Sequence, residues 1–514
     1  MIGDSTMSNK SLVGGNPERG WGHVLPGFFS SEIKIDNHAV NGRSSLSFMS
    51  RWNAVYDQLK KGDYVFIQFG HNDQKKKPDR YSDPDTAYKN NLRFYINQTR
   101  EKGAIPVLFT SIIRRKFGED GKLIDTHGRY ISACKEVAAE MKVVCIDLNN
   151  STETLVNNLG DEKSKELFMW VAPGTCPAIP DGRKDDTHLK VKGARIIAGM
   201  AVDSIEKKIP KLAPYIRRYD YVVAQDGSGD FFTLQKAIDA VPAFSKRPTT
   251  IYIRNGVYKE KVTVPGNRNN IHIIGEDVDK VILTYDDYAS KKNAFGDNIG
   301  TSGSSSFFVY GNGFTAENVT FENSSGPVAL FVAGDKCVFK NCKMKGFQDA
   351  LYTYGENSRQ YYENCYIEGT TDFIFGKSTA WFENCTIHSK QNSYITAAAT
   401  PENVTYGYVF NKCRLTADDG VEKVYLGRPW RPYAAVLFTK CEMGKHIRPE
   451  GWHNWGKATN EKTARYCEYK NKGEGSNTQG RVAWSHQLNR KEASRYSIKQ
   501  VLGGNDGWNP QEKN

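Results

Sequence analysis

Apolar runs alternate with helical periodicity over the first 212 residues. Residues 64–69, 105–110 and 143–148 are predominantly apolar, as in strands of a parallel sheet that is covered on both faces. The stretches around them repeat apolar positions every three or four residues. This periodicity predicts helices near 47–60, 85–102, 129–141, 152–167 and 190–208. Strands that alternate with helices predict a three-layer α/β fold for residues 1–212.

The pattern changes after Pro210 and Pro214, and from residue 219 short strand-like runs with Gly and Asn turns take over. An aromatic-x-Asn-Cys block, or a variant of it, recurs through this part. The blocks are FEN (321–323), FKNC (339–342), YENC (362–365), FENC (382–385), FNKC (410–413) and FTKC (438–441). A constant inner core with variable spacing predicts a right-handed parallel β-helix over 219–514, with the aromatic and Cys side chains inside. The helical stretch 233–241 is expected to cover its amino-terminal end.

Two aspartates occupy the same position in consecutive blocks of this repeat. Asp349 and Asp372 each follow the cysteine of their block by seven residues, and they are 23 residues apart. Adjacent strands of a parallel stack lie about 4.8 Å apart, so the two carboxyl groups are expected to be neighbours. One pKa should then rise while the other stays low. A proton donor beside a nucleophile or base is the catalytic arrangement of an ester or glycoside hydrolase.

Composition and charge exclude several classes of function. The chain has 514 residues, of which 39% are hydrophobic and 25% charged, as in a globular protein. It has no run of about 18 apolar residues, so no membrane span is expected. The net charge of +12 is distributed without a basic tail or Arg-rich stripe, which disfavours nucleic acid. A polyanionic substrate fits this charge, and a generic basic surface fits it equally well.

The ten cysteines form no CxxC pair and no metal-ligand spacing. Five of them lie in the repeat, where they are expected to be small buried hydrophobic residues rather than a disulfide framework. We therefore predict a protein without a metal or other cofactor, and we expect it to be a monomer.

Four polar motifs fall where strands of the α/β part should end. They are GDS (3–5), NGRSS (41–45), GHND (70–73) and DDTH (185–188). Each alone is weak, since a Ser in a Gly-containing loop is usually a turn or a helix cap. Together and in this order they resemble the SGNH (GDSL) hydrolases, most closely the rhamnogalacturonan acetylesterases.

The resemblance implies roles for five residues. Ser5 would be the nucleophile, His188 the general base, and Asp185 the group that orients the imidazole. The backbone N–H groups of Ser5 and Gly42, with the Asn72 side chain, would form the oxyanion hole. In this family a central strand runs into GDS, and only Met1 and Ile2 precede it here. We therefore expect a truncated first strand, neighbouring strands with unpaired backbone groups, and any signal segment upstream.

A second set of motifs lies on the predicted β-helix. It comprises VAQDGSGDFFTLQKAIDAVP (223–242), GFQDALY (346–352), DFIFG (372–376) and YLGRPW (425–430). Their order and spacing resemble the pectin methylesterases of carbohydrate esterase family 8 over about 220–510.

This second resemblance also implies roles. Asp372 would attack the methyl ester of galacturonate, and protonated Asp349 would donate to the leaving methanol and then activate water. Gln348 would donate to the oxyanion, Arg428 would hold Asp372 ionised, and Trp430 would stack on a sugar ring. From the residues alone, the aspartates could instead be a structural ladder, Arg428 a structural ion pair and Trp430 a packed side chain.

One departure concerns the oxyanion. The family usually reads G-x-x-x-Q-A-V-A-L before its first catalytic aspartate, whereas this chain reads SSGPVALFV at 324–332 and lacks the glutamine near Gly326. Loss of one oxyanion donor typically costs on the order of 10²–10³ in rate.

Three hypotheses remain open from sequence. The first is a bifunctional pectin de-esterase, an acetylesterase at residues 1–212 followed by a methylesterase at 219–514, acting on homogalacturonan and rhamnogalacturonan. The second is an acetylesterase with a pectin-binding β-helix. The third is a calcium-dependent pectate lyase, against which the QD, DFIFG and LGRPW motifs argue. The resemblances imply a secreted or periplasmic protein.

Overall fold

The computed structural model describes residues 1–512. The chain divides into two compact units. The first comprises Met1–Arg218 with Asp226–Asp230, and the second comprises Tyr219–Gln225 with the chain from Phe231 onward.

The first unit contains a four-stranded parallel sheet. In spatial order its strands are Ile2–Gly3, Tyr64–Gln68, Ile105–Phe109 and Val144–Ile146. Glu18–Arg19 and Leu189–Lys190 form a separate antiparallel pair. The α-helices are Trp21–Val24, Met49–Tyr56, Ala87–Glu101, Arg129–Glu140, Leu148–Ser164 and Val191–Lys208, and the 3₁₀ helices are Val13–Gly15, Leu25–Phe28 and Pro210–Tyr215.

Side chains alternate between the two faces of this sheet, because successive residues of a strand point to opposite sides. Phe66 and Phe109 pack with Val202 and Ile205 of the last helix in one apolar core. Ile67 of the adjacent position packs in a second core on the other face, with side chains of helices 49–56, 87–101 and 129–140. The predicted α/β fold is thus confirmed, as a sheet between two helical layers.

The strand that leads into Ser5 has only two residues, and both of its edges are paired. Ile2 and Gly3 pair with Ile67 and Gln68 of the neighbouring strand. On the other side, the N–H groups of His38 and Val40 donate to the carbonyls of Met1 and Gly3, over 2.9 and 3.1 Å. The two-residue strand is therefore paired on both sides, with the segment around residue 39 as its second partner. It pairs with only Ile67 and Gln68 of the neighbouring strand, so among the described strands Tyr64–Phe66 are paired only on their other edge, with Ile105–Val107.

The second unit is a parallel β-helix with three sheets, named A, B and C here. Sheet A consists of Val262–Val264, Phe307–Val309, Leu330–Val332, Leu351–Thr353, Ile374–Gly376, Tyr394–Ala398 and Tyr425–Gly427. Sheet B consists of Tyr221–Val223, Thr249–Ile253, Ile271–Gly275, Thr315–Glu317, Cys337–Lys340, Arg359–Glu363, Thr379–Glu383, Tyr408–Asn411, Ala435–Thr439, Arg465–Tyr469 and His486–Gln487. Sheet C consists of Gly256–Lys259, Val281–Tyr285, Thr320–Asn323, Lys343–Lys345, Tyr366–Gly369, Thr386–Ser389, Arg414–Ala417 and Glu442–Met443.

Short helices complete this unit. The α-helices are Leu234–Ala240, Gly300–Gly303, Arg490–Ala493 and Ile498–Leu502, and the 3₁₀ helices are Ala458–Lys462 and Glu474–Ser476. The first of them buries Leu234, Ala237 and Ile238 in the β-helix core, as expected for a cover of the amino-terminal end. Within residues 1–512, no helix is long and apolar enough to cross a membrane.

The recurring block has a physical function at each of its positions. The aromatic rings stack inside: Tyr362 lies 4.7 Å from Phe382 and Phe382 lies 4.4 Å from Phe410, between ring centroids. The cysteines are free and buried. The Asn positions turn the chain with left-handed φ, for example 49° at Asn341 and 55° at Asn384, a conformation that Asn tolerates better than most residues. The repeat thus encodes inward stacking and the turn between sheets B and C.

Two candidate active sites

Asp349 and Asp372 lie just before adjacent strands of sheet A. Their strands are in register, with Leu351 opposite Ile374, so the 23-residue spacing brings the two aspartates to the same position on neighbouring coils. Both have left-handed backbone conformations, with φ of 60° and 49°. Such conformations cost energy in non-glycine residues and cluster at functional sites.

Burial and the second carboxyl group dominate the electrostatics of the pair. Burial, followed by the nearby Asp372 carboxylate, raises the pKa of Asp349 to about 7. Burial also raises the pKa of Asp372, while hydrogen bonds and charge from Arg428 oppose that rise. The expectation that the second pKa would stay low is therefore wrong in direction, because both carboxyls are desolvated. Asp372 is nevertheless the carboxyl group whose negative charge is compensated directly, because the Arg428 guanidinium lies beside it.

Arg428 follows the last strand of sheet A and holds Asp372 through two charge-assisted hydrogen bonds. Its Nε donates to Oδ1 over 3.0 Å and its Nη2 donates to Oδ2 over 2.6 Å. The guanidinium lies between two rings, with its carbon 3.9 Å from the centroids of both Tyr394 and Trp455. Paired hydrogen bonds and two ring faces fix the plane of the guanidinium, and with it the orientation of the carboxylate.

An aromatic row extends from this pair along the outer face of sheet A. Register places Phe308, Phe331, Tyr352 and Phe375 opposite one another on four successive coils. Trp430 packs at the end of the row, 5.9 Å from the Phe375 ring centroid. The four rings of the row are buried and pack on one another, whereas Trp430 is partly exposed, so Trp430 is the ring that can stack on a sugar. Sequence reasoning identified Trp430 but missed Tyr394, Trp455 and the row, whose signal is an aromatic residue in the middle of successive short strands.

The oxyanion side of this site is less complete. Gln348 is exposed, and its Nε2 lies 3.4 Å from Asp349 Oδ2, a long hydrogen bond that leaves the amide free to turn. Gly326 occupies the region where the family glutamine is expected. A Cβ added there would lie 1.9 Å from the Asp287 carbonyl oxygen, so the backbone leaves no room for a side chain.

The amino-terminal site brings Ser5, His188 and Asp185 together. His188 Nε2 lies 3.0 Å from Ser5 Oγ, and His188 Nδ1 lies 2.8 Å from Asp185 Oδ2. Asp185 Oδ1 also accepts the N–H groups of Thr187 and His188. Burial would raise the pKa of Asp185, but the hydrogen bond and charge of His188 hold it well below its ordinary value. This geometry can transfer the Ser5 proton to an imidazole whose other nitrogen is anchored.

A buried charge network that sequence reasoning missed surrounds this triad. Arg183 donates to Asp185 Oδ2 and contacts His188 Nδ1, and its Nη1 donates to Glu18 over 2.7 Å. Glu18 in turn pairs with buried Lys10 over 2.8 Å.

Lys10 continues the network to the loop that precedes Gly42. Its Nζ donates to Asn41 Oδ1 over 2.6 Å. Gly42 adopts a left-handed φ of 72°. Asn72 is buried, and its Nδ2 donates to the Arg43 carbonyl over 3.0 Å, which leaves one N–H for a substrate oxygen. The charge network thus connects the triad carboxylate to the loop assigned to the oxyanion hole.

In the described part of the chain, no group of three or more His, Cys, Asp or Glu side chains is arranged to hold a metal ion.

Comparison with known proteins associates each unit with a family. A family model described as Pectinesterase matches residues 220–505, and one described as GDSL-like Lipase/Acylhydrolase family matches residues 1–196. Pectinesterase 31 of Arabidopsis thaliana is 42% identical over 286 residues, which cover 53% of this chain and 89% of that protein. Pectinesterase 4 of the same plant is 37% identical over 286 residues, 52% of this chain and 48% of that protein.

Solved structures agree with these matches. Pectin methylesterase from carrot has a TM-score of 0.52 and 34% identity, covering 56% of this chain and 94% of its own. Pectin methylesterase PemA from Erwinia chrysanthemi has a TM-score of 0.52 and 30% identity, covering 57% and 99%. Both matched families hydrolyse carboxylic esters. The chain therefore belongs to the pectinesterase family, carries a GDSL-like acylhydrolase region ahead of its pectinesterase region, and is a carboxylic ester hydrolase.

Proposed function

We propose that the chain removes two kinds of ester from pectin: methyl esters of galacturonate at the Asp349–Asp372 site, and acetyl esters of the polysaccharide at Ser5. The observation that carries the first half is the carboxyl pair on adjacent coils, of which one member is held by Arg428 over 2.6 and 3.0 Å and the other has a pKa of about 7.

At the β-helix site, Asp372 attacks the methyl ester carbonyl, because its charge is the one stabilised by Arg428. The tetrahedral intermediate collapses as protonated Asp349 gives its proton to the departing methanol. Asp349, now ionised, takes a proton from water, and the resulting hydroxide hydrolyses the acyl-enzyme and frees Asp372. Gln348 turns its amide toward the oxyanion, and Trp430, supported by the buried aromatic row, stacks on a sugar ring.

At the amino-terminal site, Ser5 attacks the acetyl carbonyl while His188 accepts its proton. Asp185 stabilises the imidazolium that forms, and Arg183 keeps Asp185 ionised and oriented. The Ser5 and Gly42 N–H groups and the Asn72 amide donate to the oxyanion. His188 then gives the proton to the departing sugar oxygen, which leaves as a hydroxyl, and water releases acetate from Ser5 by the same route.

The proposed substrate is an acidic plant polysaccharide, homogalacturonan or rhamnogalacturonan. One related structure is that of a pectin methylesterase in complex with a hexasaccharide, with a TM-score of 0.52 and 29% identity to this chain. The net charge of +12 also favours a polyanion. We propose that the protein acts as a monomer and in a secreted or periplasmic location, as the family resemblance implies.

Acetate and methanol released from native pectin by the full chain test both halves. Ser5→Ala should abolish acetate release and leave methanol release unchanged, and Asp372→Asn should do the reverse. If either single substitution abolishes the release of both acetate and methanol, the two-site proposal is wrong.

A second candidate function is an acetylesterase whose β-helix only binds pectin. The observation that favours it is Gly326, where the backbone leaves no space for the glutamine that assists the oxyanion in the family. Retention of the wild-type chain on polygalacturonate without methanol release would support this candidate over the first.

A further inference from the structure

Positive charge is concentrated on one side of the Ser5 site. Four cations, which we call the cationic patch, lie on the segments next to the assigned oxyanion residues: Lys75, Lys77, Arg80 and Arg114. Two of them hydrogen-bond to this part of the site, and the Arg80 guanidinium lies beside Gly42. The contacts are Lys75 Nζ to Asn72 Oδ1 at 2.7 Å, Arg114 Nη2 to the His71 carbonyl at 2.9 Å, and Arg80 Nη1 at 3.4 Å from the position of a Cβ on Gly42.

The cationic patch is poorly neutralised by carboxylates. Among residues 1–512, neither Lys75 nor half-buried Arg114 has a carboxylate within ion-pair distance, and Arg80 contacts only its exposed neighbour Asp79. The pKa of Lys75 is lowered by burial and then by Arg114, Arg80 and Lys77, with Asp4 opposing them. The four cations thus repel one another, which is a cost that an anionic ligand would remove.

The acidic groups nearest the cationic patch are buried or already hydrogen-bonded to other groups. Asp4 and Asp73 are fully buried, each has one carboxyl oxygen without a hydrogen-bond partner, and burial raises the pKa of both, to about 7 for Asp73. Asp125 accepts the backbone N–H groups of His127 and Gly128. Glu18 forms ion pairs with Lys10 and Arg183, and Asp185 pairs with His188.

An unpartnered buried imidazole nitrogen lies in the same region. His71 is 2% exposed, and its Nδ1 lies 3.0 Å from His127 Nε2, while its Nε2 has no hydrogen-bond partner. Arg114, His188 and Lys75 all act electrostatically on this ring, so it lies near both the cationic patch and the triad. Buried polar groups in native structures are usually paired, and one that is not can indicate a ligand position.

From this geometry we infer that the cationic patch and His71 form a carboxylate-binding subsite, which makes the Ser5 site selective for esters on uronate-containing sugar chains over neutral ones. The inference rests on the proposed acetylesterase function and deepens it. A uronate carboxylate accepts hydrogen bonds from Lys75 and Arg114, next to the buried His71 ring. The acetylated residue then lies between this subsite and Ser5.

Competitive inhibition tests the subsite without requiring an acetylated glycan. Hydrolysis of p-nitrophenyl acetate by the full chain carrying Asp372→Asn reports on Ser5 alone, with Ser5→Ala as the blank. Trigalacturonate should inhibit, and xylotriose should inhibit far more weakly. Lys75→Gln should raise the inhibition constant of trigalacturonate by about 3- to 10-fold, the range between an exposed ion pair and a charge-assisted hydrogen bond.

Matched variants separate the subsite from general effects. Lys60→Gln removes an exposed lysine before the strand Tyr64–Gln68, at the opposite end from Asn72, and should leave inhibition unchanged. Arg114→Lys should retain most of the affinity that Arg114→Gln loses. Raising NaCl from 0.05 to 0.5 M should weaken inhibition by trigalacturonate, since salt screens exposed charges over about 10 Å at 0.1 M.

Two results would overturn the inference: equal inhibition by both trisaccharides, or a Lys75→Gln effect no larger than that of Lys60→Gln. Lys75 is exposed, so its variant keeps the test valid if Arg114→Gln unfolds the chain. If trigalacturonate inhibits as expected but acetylated pectin releases no acetate, the acetylesterase proposal fails while the carboxylate subsite stands.

Discussion

Arg428 offers the sharpest test of the carboxyl-pair mechanism. Replacing it with Met removes both hydrogen bonds to Asp372, a carboxylate whose side chain is only 7% exposed. Breaking a buried ion pair by removing one partner costs about 3–5 kcal/mol. At 1.36 kcal/mol per decade, kcat/KM for methanol release from methylated pectin should therefore fall by about 10²- to 10⁴-fold. Arg428→Lys keeps the charge but loses the planar fork, and should cost about 10- to 50-fold.

The pH profile of this variant distinguishes mechanism from misfolding. Activity requires Asp372 ionised, so it rises with pH through the pKa of that group. Activity also requires Asp349 protonated, so it falls as pH rises through about 7. Without the guanidinium, the burial that raises the pKa of Asp372 is no longer opposed. The rising limb of the Arg428→Met profile should therefore move to higher pH and narrow the bell.

A matched control is available on the same β-helix. Arg448 pairs with Glu450 over 3.2 Å and lies 4.6 Å from the Tyr425 ring centroid. Arg428 likewise pairs with a carboxylate, that of Asp372, and lies against aromatic rings. Arg448→Met should stay within about twofold of wild type for methanol release. Acetate release should be unchanged in both variants. If Arg428→Met loses no more activity than Arg448→Met, or loses it without a shift of the rising limb, the assigned role of Arg428 is wrong.

Three further substitutions test the two sites separately. Asp349→Asn removes the proton donor and base, so methanol release should fall by about 10²–10⁴-fold while acetate release persists; retained methanol release would exclude Asp349 from the chemistry. Gly326→Gln forces a side chain against the Asp287 carbonyl, so it should destabilise the protein by about 1–3 kcal/mol, seen as a lower Tm, without raising methanol release; a faster enzyme would refute the steric argument. Asp185→Asn should lower kcat for acetate release by about 10⁴-fold through the wrong imidazole tautomer, and an equal loss of methanol release would contradict separate sites.

The missing glutamine has a structural explanation. Buried Asn323 organises the loop around Gly326, because its side chain donates to the Ser304 and Val328 carbonyls and accepts the Gly326 N–H over 2.7 Å. This network brings the Gly326 backbone against the Asp287 carbonyl. The loop therefore forms a tight turn whose polar groups are hydrogen-bonded, and it has no space for a side chain at the position of the oxyanion donor. Under the proposed mechanism, Gln348 is left as the side-chain donor to the oxyanion.

The sequence alone determined the features that depend on local periodicity. The aromatic-x-Asn-Cys repeat encodes inward stacking and a left-handed turn on each coil, so the 23-residue spacing was enough to bring Asp349 and Asp372 together. Likewise, apolar runs alternating with helical periods determined the α/β fold of the first unit. The pairing of His188 with Ser5, 183 residues apart, could be expected only from the motif resemblance, because no local pattern encodes a contact between distant loops.

Tertiary structure decided the features that depend on loops of unequal length and on burial. The two rings around Arg428 come from Tyr394 and Trp455, which are separated in sequence by coils of variable size. The upward pKa shift of Asp372 follows from desolvation, and the extent of that burial is set only when the coils are stacked. The Lys10–Glu18–Arg183 network is similar, since each of its residues looks like an ordinary surface charge in the sequence. Periodic contacts follow from the local sequence repeat, whereas desolvation and contacts between loops arise only when the whole chain is folded.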